Sequence, residues 1–167
     1  MRLLGVLGTN EIVILLVIFG GLLLIPFILF LVTQQNTLKA IQPQNRSMQP
    51  GEVWLQLIPL FGMVWQFIVV TKIADSIQRE LASEASFSFE QQNPSYEYNP
   101  YLPKPTYGIG LAYCILGCCS LIPVIGGLPA LAALVCWIIY WVQLSEQKNK
   151  IQMRNYHRSY SQSKPQY

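Results

Sequence analysis

Three stretches of the chain, residues 12–33, 53–71 and 107–145, contain no Asp, Glu, Lys, Arg or His. A helix of about 20 apolar residues crosses the ~30 Å hydrocarbon core of a bilayer. A soluble fold would instead have to cover all three stretches at once. The chain lacks the polar surface for that: 52% of its 167 residues are hydrophobic and 11% charged, against about 25% charged in an ordinary soluble domain. The sequence therefore predicts an all-α integral membrane protein.

The first stretch is longer than the apolar core of a cleaved signal peptide, about 7–15 residues. Glu11 precedes it, and Val32-Thr33-Gln34-Gln35-Asn36 is not a small-residue cleavage site. It predicts a retained helix over about 12–33, interrupted by Gly20-Gly21 and Pro26. The second stretch begins at Val53-Trp54, after the turn signal Met48-Gln49-Pro50-Gly51. Its helical pattern outlasts Thr71: Ile73, Ile77 and Leu81 recur every four residues, while Asp75 and Arg79 pair on another face. One long helix over about 53–82 is expected, leaving the membrane near Lys72, with Pro59 in its first turns. Residues 83–106 carry Pro94, Pro100, Pro103 and Pro105 and no apolar period, the pattern of an unstructured linker.

The third stretch is too long for one crossing, and Pro123-Val-Ile-Gly-Gly-Leu-Pro129 lies in its middle. It predicts two helices, about 107–122 and 129–145. The expected fold is a four-helix transmembrane bundle with a short third–fourth helix hairpin. The transmembrane domain covers 1–145, and a basic tail, disordered past its first turns, covers 146–167. Four crossings put Arg2, Lys72, Arg79, Lys104 and the five basic residues of the tail on one face, and only Lys39 and Arg46 on the other. The positive-inside rule then places both termini and the 83–106 linker in the cytoplasm, with residues 34–52 outside.

No reaction centre is visible. The only histidine, His157, lies in the tail, which leaves no Ser–His–acid set. Cys114, Cys118, Cys119 and Cys136 lie inside apolar stretches without histidine at metal-ligand spacing. The intramembrane ionisable residues that ion-coupled carriers use are missing from all three stretches. No enzyme activity, metal or cofactor is expected. A net charge of +3, with the basic residues beside apolar segments, does not suggest nucleic acid.

Other residues read as packing or docking features. Gly110, Cys114 and Cys118 make a small-residue face on the third helix, and Ala133 belongs to another on the fourth. Pro26, Pro59 and Pro123, each ending a Leu-Ile-Pro triplet, mark kinks in the outer leaflet. Such kinks are tolerated in membrane helices and, at a shared depth, also line binding sites in carriers. Trp54, Trp137, Tyr140 and Trp141 suit interfacial belts, and Gln66 seeks a partner on another helix. Ile73, Ile77 and Leu81 form a stripe at the cytoplasmic face that predicts a docking surface. The basic tail suits anionic lipid headgroups.

The segment from Pro50 through Trp54-Leu-Gln-Leu-Ile-Pro to Trp65-Gln-Phe, with Lys72-Ile-Ala-Asp-Ser-Ile and Trp137-Ile-Ile-Tyr-Trp, resembles an uncharacterised family of small bacterial multi-pass membrane proteins. The resemblance covers about residues 40–145. It implies a bacterial inner membrane and brings no activity or binding residue. The expected role is a non-enzymatic accessory subunit or scaffold, with membrane lipid and other membrane subunits or a second copy as partners. The second reading is a small channel or carrier for a neutral or lipid-like solute.

Overall fold

A computed structural model describes residues 8–90, 104–122 and 127–162, which are helical and contain no strand. Helix α1 spans Thr9–Ala40, α2 Phe61–Glu90, α3 Tyr107–Cys119 and α4 Gly127–Gln162; 3-10 segments cover Pro43–Asn45 and Pro50–Leu57. The chain divides into two units, residues 1–32 and 33–167.

In the first unit the Gly8 N–H donates to Glu11 Oε2 at 3.3 Å, which caps the start of α1 and sets an acid against its positive end. Pro26 lies inside the helix without ending it. Val13, Ile14, Val17, Ile18, Leu22 and Ile25 are all exposed.

The second unit departs most from the pattern at the second charge-free stretch. The continuous helix expected over 53–82 does not form. Pro50–Leu57 is a 3-10 segment with Glu52 reaching back to the Gln49 N–H at 3.3 Å. The chain then turns at Pro59 and Leu60, and α2 starts only at Phe61. The reason is local: Pro59 has no amide hydrogen to give to a helix, and Leu60 takes the left-handed φ of 64°, which no right-handed helix can continue. The charge-free part of α2, Phe61–Thr71, rises only about 16 Å, and α3, with 13 residues, about 20 Å. Both fall short of a ~30 Å core, so these two elements do not confirm a four-span bundle.

Three boundaries also move, the first being the end of α1, which lies at Ala40 instead of 33. α2 continues to Glu90, so the start of the expected linker is helical; residues 91–103 lie outside the described residues. The tail is helical as far as Gln162, where the 36-residue α4 ends, with Glu146 and Lys150 paired at 2.8 Å one turn apart. Its inner face is held by the buried Leu144 and Ile151, which extend the helical period past the charge-free limit. α3 and α4 pack on each other, and α2 packs on α3. Among the described residues one helix, Gly127–Tyr160, is long and apolar enough to cross a membrane, and only 17% of its apolar window is buried within the chain. The core helix of a soluble protein would be mostly covered.

Candidate functional site

The polar residues of the second unit gather in one base beneath the apolar helices. At the C-terminal end of α1, where helical carbonyls lack partners, Arg46 donates through Nε to the Ile41 carbonyl at 2.9 Å and through Nη2 to the Lys39 carbonyl at 3.1 Å. Asn155 Nδ2, far along α4, donates to the Ala40 carbonyl at 2.9 Å. The loop that follows is fastened to α2. Glu80 Oε2 accepts from the Gln42 N–H at 3.1 Å and from Asn45 Nδ2 at 2.6 Å. Ser76 Oγ accepts from the Ser47 N–H at 2.8 Å while donating to the Lys72 carbonyl at 2.7 Å. Lys104 closes the base with an ion pair to Asp75 at 2.5 Å.

These bonds overturn the placement of residues 34–52 outside and the end of α2 inside. Gln42, Asn45 and Ser47 cannot hydrogen-bond directly to Glu80 and Ser76 across a bilayer. The Gln- and Asn-rich segment is a folded ledge on the face that also bears Lys104 and α4's basic end. It also removes the docking stripe. Ile73 and Ile77 are fully buried inside the chain and Leu81 is half-buried, so the apolar face that needed a cover already has one.

Above the base lies a close-packed layer. Gly110 is buried on α3, and a β-carbon there would come within 2.6 Å of Val70 Cγ1 and 2.9 Å of the Tyr140 ring. Tyr140, expected at an interface, is wholly buried, with the Tyr113 ring stacked at 6.4 Å. Trp141 Nε1 donates to Thr33 Oγ1 at 2.9 Å, and Trp54 Nε1 donates to Gln35 Oε1 at 3.3 Å. Gln56 Nε2 donates to Gln34 Oε1 at 2.7 Å and to the Val53 carbonyl at 3.1 Å, in a buried setting. That pair supports a first expected result. Exchanging either glutamine for leucine lowers stability in detergent by about 1 kcal/mol, and the double exchange costs less than the sum. Additive losses in thermal unfolding would show that the two amides are not coupled.

Further out, α2 and α3 enclose a groove of about 190 Å³ lined by Met63, Gln66, Tyr113, Cys114, Cys118 and Leu121 among others. Cys114 is buried there and Cys118 exposed. Ala133 is buried on α4. Pro59 sits in the turn before α2 rather than within a helix, and Pro123 lies outside the described residues. Among the described residues no three His, Cys, Asp or Glu side chains come together as metal ligands. The sequence signal for the ledge was weak: the turn signal Met48-Gln49-Pro50-Gly51 marked only its end, and the capping pair Gln49–Glu52 was not read from the sequence. Comparison with protein families, with curated proteins and with solved structures finds no match to this chain.

Proposed function

We propose that the protein is a non-enzymatic, membrane-embedded accessory subunit or scaffold of a bacterial inner membrane, which docks other membrane components through its lipid-facing helices. The observation that carries this reading is the contrast between the two sides of α4. Its inner face is closed by Tyr140, Leu144 and Ile151, whereas Leu131, Leu134, Val135, Ile138 and Val142 are exposed. A long uncovered apolar face beside a hydrogen-bonded polar base suits a helix that meets lipid or another membrane helix. The partner surface moves accordingly, from the buried Ile73 stripe to α4.

Gentle detergent extraction at native expression tests this. The expected result is a complex larger than the 19.0 kDa chain, holding another membrane protein or a second copy, which Leu134→Trp weakens while membrane insertion persists. A chain that extracts as a lone monomer overturns it. The groove beside Gln66 and Tyr113 favours the second reading, a carrier or lipid-binding protein. That reading expects a neutral solute or lipid to be retained by the native chain and lost from Gln66→Leu.

A further inference from the structure

We propose that residues 50–71 form a re-entrant hairpin, which enters one leaflet from the face bearing the polar base and returns to that face without crossing; its occupant is the acyl-chain region of that leaflet. The inference rests on the reading that the protein is membrane-embedded.

Four observations carry it. First, the two limbs lie back to back. Trp65 Nε1, on α2, donates to the Glu52 carbonyl of the 3-10 limb at 2.8 Å. Nearer the turn, a β-carbon at Gly62 would collide with the Gln56 carbonyl, so only glycine allows the limbs to close there.

Second, both feet stand on one face, because Gln42, Asn45 and Ser47 before the hairpin bond to Ser76 and Glu80 after it. Third, the limbs are too short to cross. Eight residues of 3-10 helix rise about 16 Å, and Phe61–Thr71 about 16 Å as α-helix, roughly half of a ~30 Å core.

Fourth, the surface changes character along the hairpin as a leaflet does. The tip is apolar and uncovered: Leu55, Leu57, Ile58, Phe61 and Val64 are exposed, and Leu60 is 82% exposed. Leu60 holds a left-handed φ of 64°, a conformation that favours glycine. Yet the chain keeps a large apolar side chain there that the rest of the protein barely touches. Backbone groups in lipid need internal partners, and the turn supplies them for its N–H donors other than that of Leu60. The Ile58 N–H donates to Leu55 O at 3.2 Å, the Phe61 N–H to Pro59 O at 2.7 Å and the Gly62 N–H to Ile58 O at 2.7 Å, while Pro59 has no N–H to satisfy. The base is the opposite. All nine described lysines and arginines, from Lys39 to Arg158, lie at that end and none lies in the hairpin, which matches anionic headgroups around the feet.

Right-side-out and inverted membrane vesicles holding the full chain test the hairpin. In the native sequence an impermeant amine reagent is expected to modify the exposed Lys39 and Lys72 from the same vesicle orientation and neither from the other. Modification of the two from opposite orientations overturns the proposal, since the segment between them would then cross. In a cysteine-free background, Gln44→Cys and Ser83→Cys are expected to react together with an impermeant maleimide from that same face. Leu60→Cys, labelled with bimane before reconstitution, should be quenched by lipids carrying a mid-chain nitroxide. A Leu60→Cys thiol that reacts with the impermeant reagent from either face, or a bimane that lipid nitroxides leave unquenched, shows water or protein around the tip and overturns lipid as its occupant. Release of the native chain from membranes by alkaline carbonate would instead sink the membrane reading itself, and loss of co-purifying subunits alone would leave the hairpin standing.

Discussion

Gly110→Val is expected to destabilise the helical core by about 3 kcal/mol, near the upper end of the usual cost of overpacking. The site is where α2, α3 and α4 meet: Val70 Cγ1 on one side and the Tyr140 ring on the other leave no room for even one added carbon. Neither neighbour can swing away, because Val70 and Tyr140 are both fully buried. Alanine should already lower the thermal midpoint in detergent, and valine should lower it further or prevent the fold. A compensating pair distinguishes packing from lost backbone freedom. Gly110→Ala with Val70→Ala should recover much of the loss, since the second change removes the methyl that the first would strike. An uncompensated double variant would mean that Gly110 is needed for its backbone.

Glu80→Ala is expected to cost about 3 kcal/mol and to release the ledge from α2. Two donors, the Gln42 N–H and Asn45 Nδ2, converge on one buried carboxylate oxygen. Hydrogen bonds to charged groups contribute about 1.5–3 kcal/mol each, and a buried donor left alone adds a penalty of its own. Amide exchange over residues 41–49 should accelerate in the alanine variant while α3 and α4 stay protected. Glu80→Gln keeps a carbonyl acceptor in the same place, and its loss should be about 1 kcal/mol. The carboxylate's other oxygen has no partner, so removing the charge there forfeits no further bond. Equal losses for alanine and glutamine would show that the negative charge itself holds the loop.

Of these two sites only one was partly legible in the chain. Gly110 stood out as part of a small-residue face with Cys114 and Cys118, which marks close helix approach without naming the neighbour. Glu80 did not stand out at all, because an acid between Ile77 and Leu81 reads as one more charge on a solvated helix face. The stripe of Ile73, Ile77 and Leu81 was read correctly as apolar but not as already covered within the chain.

The difference follows from the range of the forces involved. Charge-free runs, apolar periods and the break inside residues 107–145 are local properties, and they determine by themselves that the chain is helical and rich in segments suited to lipid. Helix length beyond the charge-free limit is less local: α4 reaches Gln162 because Leu144 and Ile151 find a buried seat. The path of residues 50–71 was misread as part of one helix over about 53–82, because an apolar run reads alike whether it goes straight through or doubles back at Pro59. The choice lies with partners distant in sequence, the Ser47–Ser76 bond across 29 residues, Gln42–Glu80 across 38 and Asn155–Ala40 across 115. Glutamine, asparagine and serine bond equally well to water, so only the assembled tertiary structure, by removing that water, turns residues 41–49 from a solvated loop into the base beneath the apolar helices.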